Sequence, residues 1–288
     1  MRRKKRATGW IWILLLLLAA GAGWWIYTHH LRPAAESAAT APAGRAREIE
    51  VPATPAPRHP IEEVATAEAP ADEAVLPALG ESDAAVRDAL GGLVPAELLD
   101  LLVPQHLISR FVATVDGLTS ERLTPQALPV KRVGGTLALR TAEDGRLFLA
   151  EDNARRYAPY VQALTTADTG LLVGTYTRMY PLFQRAWREL GYPDRYFNDR
   201  LVEVIDHLLA TPPVPAEIEL VRGRVGYAYA DPAYESWSVG RKALLRMGPE
   251  QAQAVKAKLR DIRARLVGEG APVAGPAAAA AEDGAGPG

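Results

Sequence analysis

Nineteen uncharged residues, Gly9 to Tyr27, follow "MRRKKR" and constrain the chain more than any other stretch. As a helix rising about 1.5 Å per residue, the run spans roughly 28 Å, close to the hydrocarbon thickness of a bilayer. Trp10 and Trp12 at one end, and Trp24, Trp25 and Tyr27 at the other, are expected at the two membrane interfaces, where amphipathic rings settle. Arg2, Arg3, Lys4, Lys5 and Arg6 are the topology signal: they hold the N-terminus in the cytoplasm and send the rest of the chain across. The expected layout is a basic cytoplasmic tail over 1–8 and a transmembrane signal-anchor helix over 9–28. A cleaved secretory signal ending at Ala20-Gly21-Ala22 is the competing reading, against which Trp24 to Tyr27 extend the apolar run past that site. Both readings export the remainder.

From residue 29 to 75 the chain is mainly Ala, Pro, Glu, Thr and Arg, with few large apolar residues to offset the entropy of ordering. It is expected to be a disordered linker that prolines stiffen toward extended geometry. "GEGAPVAGPAAAAAEDGAGPG" predicts a second disordered segment over 268–288. The chain has no cysteine, which excludes thiol catalysis, disulfides and thiolate metal sites. A net charge of −1 carries no nucleic-acid footprint.

Residues 76–267 read as one folded domain, mostly helical α+β. Ser82 is placed to cap a short helix through Leu90, and Pro95 to open another that runs to Val103. Leu107, Ile108, Phe111, Val112, Val115 and Leu118 recur at helical spacing. Leu137 and Leu139, then Leu147 and Leu149, alternate around Asp144-Gly145 and predict a β-hairpin. A helix around Tyr157, Val161 and Leu164 would tolerate Pro159 only near its first turn. Thr169 to Leu190 forms a long amphipathic helix with Leu172, Tyr176, Met179, Phe183, Trp187 and Leu190 on one side; Gly191 and Pro193 stop it. "EIELVRGRVGYAYAD" is a second candidate strand pair, and Gly248-Pro249 precedes a last helix with Ala252, Val255, Leu259, Ile262 and Leu266 on its apolar stripe.

The candidate chemistry lies in "GYPDRYFNDRLVEVIDHLLATPP". Wound at roughly 100° per residue, it gathers Asp199, Arg200, Glu203, Asp206 and His207 into an arc of about 120° and leaves Leu201, Val202, Val204, Ile205, Leu208 and Leu209 on the other side. Asp199, Glu203, Asp206 and His207 are the candidate catalytic or metal-binding residues. Neither His-Glu-x-x-His nor Glu-x-x-His is completed, so no metal or cofactor is called for. The structural alternative pairs these carboxylates with Arg178, Arg185 and Arg188 of the preceding helix and has Glu203 hold His207. Gly134-Gly135-Thr136 and Gly240-Arg241-Lys242 do not complete a phosphate loop and read as turns; the basic residues of the last helix, Lys256, Lys258, Arg260, Arg263 and Arg265, read as a solvated face.

"DLLVPQHLISRFVATVDGL", "LGYPDRYFNDRLVEVIDHLLATP" and "GRKALLRMGPEQAQAVKAKLR" together resemble the bacterial family catalogued as domain of unknown function 3014, over roughly Leu76 to Leu266. The resemblance implies an inner-membrane anchor with a periplasmic domain in a Gram-negative bacterium, and it brings over no catalytic residue. The expected function is therefore that of a single-pass inner-membrane protein. Its partners would be the lipid bilayer, met by the N-terminal helix, and an envelope protein or polymer that the periplasmic domain binds or scaffolds. The alternative is an envelope enzyme, hydrolase-like, working from Asp199, Glu203 and His207.

Overall fold

The computed structural model describes residues 56–61, 76–224 and 226–269. The expected basic tail, membrane span, most of the linker and nearly all of the C-terminal tail lie outside these residues. Among the described residues no helix is long and apolar enough to cross a membrane.

Helix α1 (Asp83–Gly91) and the one-turn α2 (Ala96–Leu99) lead into α3 (Leu107–Gly117). The apolar spacing of α3 buries Leu107, Ile108, Val112 and Val115, while Phe111 stays 36% exposed. His106 precedes α3 in the left-handed region at φ 59°, an uncommon conformation for a side chain with a Cβ. What holds it there is Asp83, whose carboxylate accepts from the His106 and Leu107 amides at 2.8 Å each and so caps α3 from α1.

Helices α4 (Asp152–Thr166), α5 (Thr169–Glu189) and α6 (Phe197–Leu209) follow, then the one-turn α7 (Pro232–Glu235), α8 (Val239–Met247) and α9 (Pro249–Leu266). Asp168 caps α5 by accepting from the Leu171 amide at 2.8 Å, and Gly191, at φ 116°, turns the chain after it. Helix α9 packs on α4, α5, α6 and α8, and α3 packs on α5 and α6. The core between them contains Ile108, Val112, Leu182, Trp187, Phe197, Val204 and Leu244.

Both expected hairpins form. Strands β1 (Leu139–Thr141) and β2 (Leu147–Leu149) pair antiparallel, as do β3 (Glu219–Arg222) and β4 (Tyr227–Tyr229). Leu147 pairs with Leu220, and this third antiparallel contact joins the hairpins into one sheet of order β1-β2-β3-β4. Its apolar face, with Leu139, Leu147, Leu149, Leu220 and Tyr229, covers Leu245 of α8. On the other face Phe148 lies between the guanidinium groups of Arg140 and Arg146, 4.7 and 5.3 Å from its ring centroid. The fold is thus α+β, mostly helical, with one small antiparallel sheet.

Several local expectations are corrected. Ser82 does not cap α1; its hydroxyl donates back to the Leu79 carbonyl at 2.7 Å. The helix after Pro95 stops at Leu99 because Leu101 and Val103 bond instead to Lys131 and Pro129 of a distant loop. Pro159 sits in the middle of α4; it is exposed, so the Arg155 carbonyl it deprives of a donor faces the solvent side, while Val161 is buried. Of the expected stripe of α5, Met179 and Trp187 are buried and Tyr176 and Phe183 pack on the core, but Leu190 is 43% exposed; Val173, Leu182 and Ala186 are also buried, so the core side is wider than expected and ends before Leu190. Gly240 is not in a turn: it lies inside α8, where a Cβ would come within 2.6 Å of a Leu208 methyl and 2.9 Å of the Leu118 carbonyl oxygen. Nor are the lysines of α9 merely solvated. Lys256 donates to the Thr211 carbonyl at 2.6 Å, just past α6, and Lys258 donates to the Ala167 carbonyl at the end of α4. Each ammonium thus meets the negative end of a helix dipole.

Candidate functional site

Two amide side chains build the corner between α5 and α6. Gln184 of α5 accepts from the Phe197 amide at 2.9 Å and donates to the Arg195 carbonyl at 2.8 Å, which caps α6 from its neighbour. Asn198, 1% exposed, has its carbonyl oxygen held by the Tyr176 hydroxyl at 3.2 Å. Burial first, then the nearby Tyr180 and Asp199, push the Tyr176 phenol well above its usual range and keep it a donor.

The four candidate residues on α6 are brought to one side of the helix but serve four different neighbours. Asp199 accepts from the backbone amides of Arg58 and His59 at 3.0 and 2.8 Å. Glu203 accepts from Arg200 at 2.8 Å, within the same helix. Asp206 pairs with Arg263 of α9. His207 Nε2 lies 2.8 Å from the Ser238 hydroxyl, the N-cap of α8. Arg178, Arg185 and Arg188 are not the partners expected for these carboxylates; Arg185 pairs with Glu189 on its own helix. Glu203 does not hold His207 either. Among the described residues no group of three or more His, Asp or Glu is placed to hold a metal ion.

Arg200 is the hub. Its guanidinium donates to the Asp116 carboxylate at 3.0 Å, the Asp116 carbonyl at 2.9 Å, the Thr119 hydroxyl at 2.7 Å and Glu203. The Tyr192 hydroxyl donates to the second Asp116 oxygen at 3.2 Å, and the charge of Asp116 raises the phenol's pKa. Tyr192 stacks on buried Trp187, with ring centroids 3.9 Å apart and planes 15° from parallel.

A concavity of about 420 Å³ opens beside this network. Tyr192, Asp194, Arg195, Arg200 and Glu203 line it, and so do Ala56 and Arg58 of the docked N-terminal segment. Both charge signs are present, so the cleft suits a polar ligand or a peptide better than a purely anionic one. Another concavity, also about 420 Å³, lies between the sheet and the starts of α4 and α9, near Asn153 and Gln251. It contains none of the α6 residues, and the amide of Asn153 is spent on the Ala138 amide and carbonyl.

Sequence reasoning missed Asp116, Ser238 and the residues at 58–61. Ser238 had a legible signal, a serine directly before a helical apolar pattern; Asp116 and the docked segment had none. Neither His207 nor Ser238 lines the cleft, so their contact is a cap relay rather than a nucleophile facing a substrate space. Burial, followed by the charges of Arg241 and Arg200, lowers the pKa of His207 below its ordinary value. The unfolded chain therefore binds a proton at His207 more readily than the folded one. Stability contributed by neutral His207 is present above the ordinary histidine pKa and falls as pH drops through it. Thermal melts at stepped pH should show wild type losing more melting temperature between about pH 7.5 and 5.5 than His207→Asn does; parallel profiles would show that His207 is unlinked to folding.

The model of a family described as "Protein of unknown function (DUF3014)" matches residues 107–263. The chain belongs to that family. The match begins at α3 and takes in the sheet, the α5–α6 corner, the Asp116–Arg200 pair and most of α9. No curated protein and no solved structure matches the chain.

Proposed function

We propose that this DUF3014 protein is a single-pass inner-membrane protein of a Gram-negative bacterium, and that its periplasmic domain binds or scaffolds another component of the cell envelope. The anchor reading is supported by Arg2 to Arg6 ahead of an uncharged run of spanning length. The observation that carries the binding reading is that Asp199, Glu203, Asp206 and His207 each already have a protein partner. Acid-base catalysis needs a carboxyl or imidazole left within reach of a substrate.

One observation favours the second reading, an envelope hydrolase. Asp194 lines the cleft and has no ion pair among the described residues, and Glu203 is half-exposed beside it. Hydrolysis of isolated cell-wall material, lost in both Asp194→Asn and Glu203→Gln with folding intact, would replace the binding reading.

The topology has its own test. A reporter enzyme active only outside the cytoplasm, fused after Leu76, should be active, and the fusion should stay with membranes in high salt. Activity of a cytoplasm-only reporter at that position would overturn the topology, and a shortened soluble fusion would favour cleavage after Ala22.

A further inference from the structure

Residues 56–61 fall within the stretch expected to be a disordered linker, yet they lie against α6. The contacts are of two kinds. Three are to the main chain: Asp199 accepts from the Arg58 and His59 amides, and the Asn198 side chain donates to the His59 carbonyl at 2.9 Å. The other is apolar: Ile61 packs on the cluster of Val173, Val202, Ile205 and Leu266. Pro60, which has no amide hydrogen to satisfy, sits between them. Arg58 is exposed, and His59, Pro60 and Ile61 are only partly buried.

Part of the receiving surface is also held by partners outside the segment. Asn198 is buried and oriented by Tyr176, and α6 is itself capped by Gln184. Its acceptor pair, donor and apolar slot therefore meet, at fixed spacing, a chain that bends at Arg58 and His59, which is how a peptide site reads a main chain and one anchor side chain. Apart from the anchor, nothing in these contacts depends on which side chains residues 58 and 59 carry.

We propose that the α5–α6 corner is a peptide-recognition site, that residues 58–61 are its built-in ligand, and that its partner is a Xaa-Xaa-Pro-aliphatic segment of another protein that adopts the same bend and takes their place. Ala56 and Arg58 line the cleft beside Tyr192, Arg195 and Arg200, so exchange also replaces one wall of that cleft. The inference rests on the binding reading and gives the partner its chemistry. The built-in segment is the competitor: being covalently attached, it acts at an effective concentration of the order of millimolar and masks the site from weak ligands.

The test uses the full chain and a fluorescent peptide copying residues 54–62, "TPAPRHPIE", titrated to millimolar concentration with anisotropy as the readout. Ile61→Ser should release the built-in segment and bind the peptide with an apparent Kd roughly tenfold or more below that of wild type. Adding Asp199→Ala to Ile61→Ser should remove this gain. Two altered peptides make the same test without touching the protein: N-methylation at the residue matching His59 removes the donor to Asp199, and serine at the position of Ile61 removes the anchor. Both should fail to bind. Equal binding by wild type and Ile61→Ser, no binding by either, or retained binding of the N-methyl peptide would overturn the proposal. None of these outcomes bears on the reporter result, and a reversed topology would leave them standing.

Discussion

Ile205→Ala is expected to lower the unfolding free energy by about 2–4 kcal/mol, the range for truncating a large aliphatic side chain in a core that cannot close around the gap. Ile205 is 3% exposed and packs with Val173 of α5, Val202 of α6 and Leu266 of α9, so the cavity would open where three helices meet. The same cluster receives Ile61, and the loss should therefore also loosen residues 58–61. Ile205→Asp would bury an unpaired carboxylate and should leave no cooperative transition. Chemical denaturation followed by tryptophan fluorescence measures both, because Trp187 is buried in the adjoining core. An unchanged midpoint for Ile205→Ala would mean that α6 presents a different side to its neighbours.

The inward side of α6 was legible because it depends only on helical period: Val202, Val204, Ile205 and Leu208 are apolar at that spacing and all are buried. The two hairpins were legible for a similar reason, alternation around glycine-containing turns. What joins β2 to β3 is separated by some seventy residues and leaves no local pattern, so the single sheet was not. The polar arc divides in the same way. Its composition and its place on one helix could be read directly, but its partners could not: Asp116 is 84 positions from Arg200, and Arg263 is 57 from Asp206. The neighbouring helix in sequence, α5, was the nearest source of arginines, yet α3 and α9 supply the contacts, because both pack on α6 more extensively than α5 does. Residues 56–61 were invisible for a different reason. Composition judges whether a segment can bury a core of its own, and these residues borrow one through a single isoleucine and three main-chain hydrogen bonds.

Arg200→Met should cost about 1–3 kcal/mol, while Glu203→Gln should cost less than about 1 kcal/mol, and that contrast decides what the acidic arc is for. The Arg200 and Asp116 side chains are 18% and 26% exposed, between the buried pairs whose disruption is expensive and the surface pairs that contribute little. Removing the guanidinium takes a donor from the Asp116 carboxylate, the Asp116 carbonyl, the Thr119 hydroxyl and Glu203 at once; Tyr192 still donates to the carboxylate, and the Thr119 hydroxyl to the carbonyl at a long 3.4 Å. Glu203 is 55% exposed, and water can replace its one contact with Arg200. A carboxylate kept for packing should obey that order, and wild type should gain no melting temperature from zinc, manganese or calcium. A carboxylate kept for chemistry reverses it: the protein would gain several degrees with one of these cations by preferential binding to the folded state, and Glu203→Gln would abolish the gain. Melts of wild type, Arg200→Met and Glu203→Gln, each with and without the three cations, measure both halves. A Glu203-dependent gain would turn the arc from a brace between α3 and α6 into a cation site and promote the hydrolase reading over the binding one.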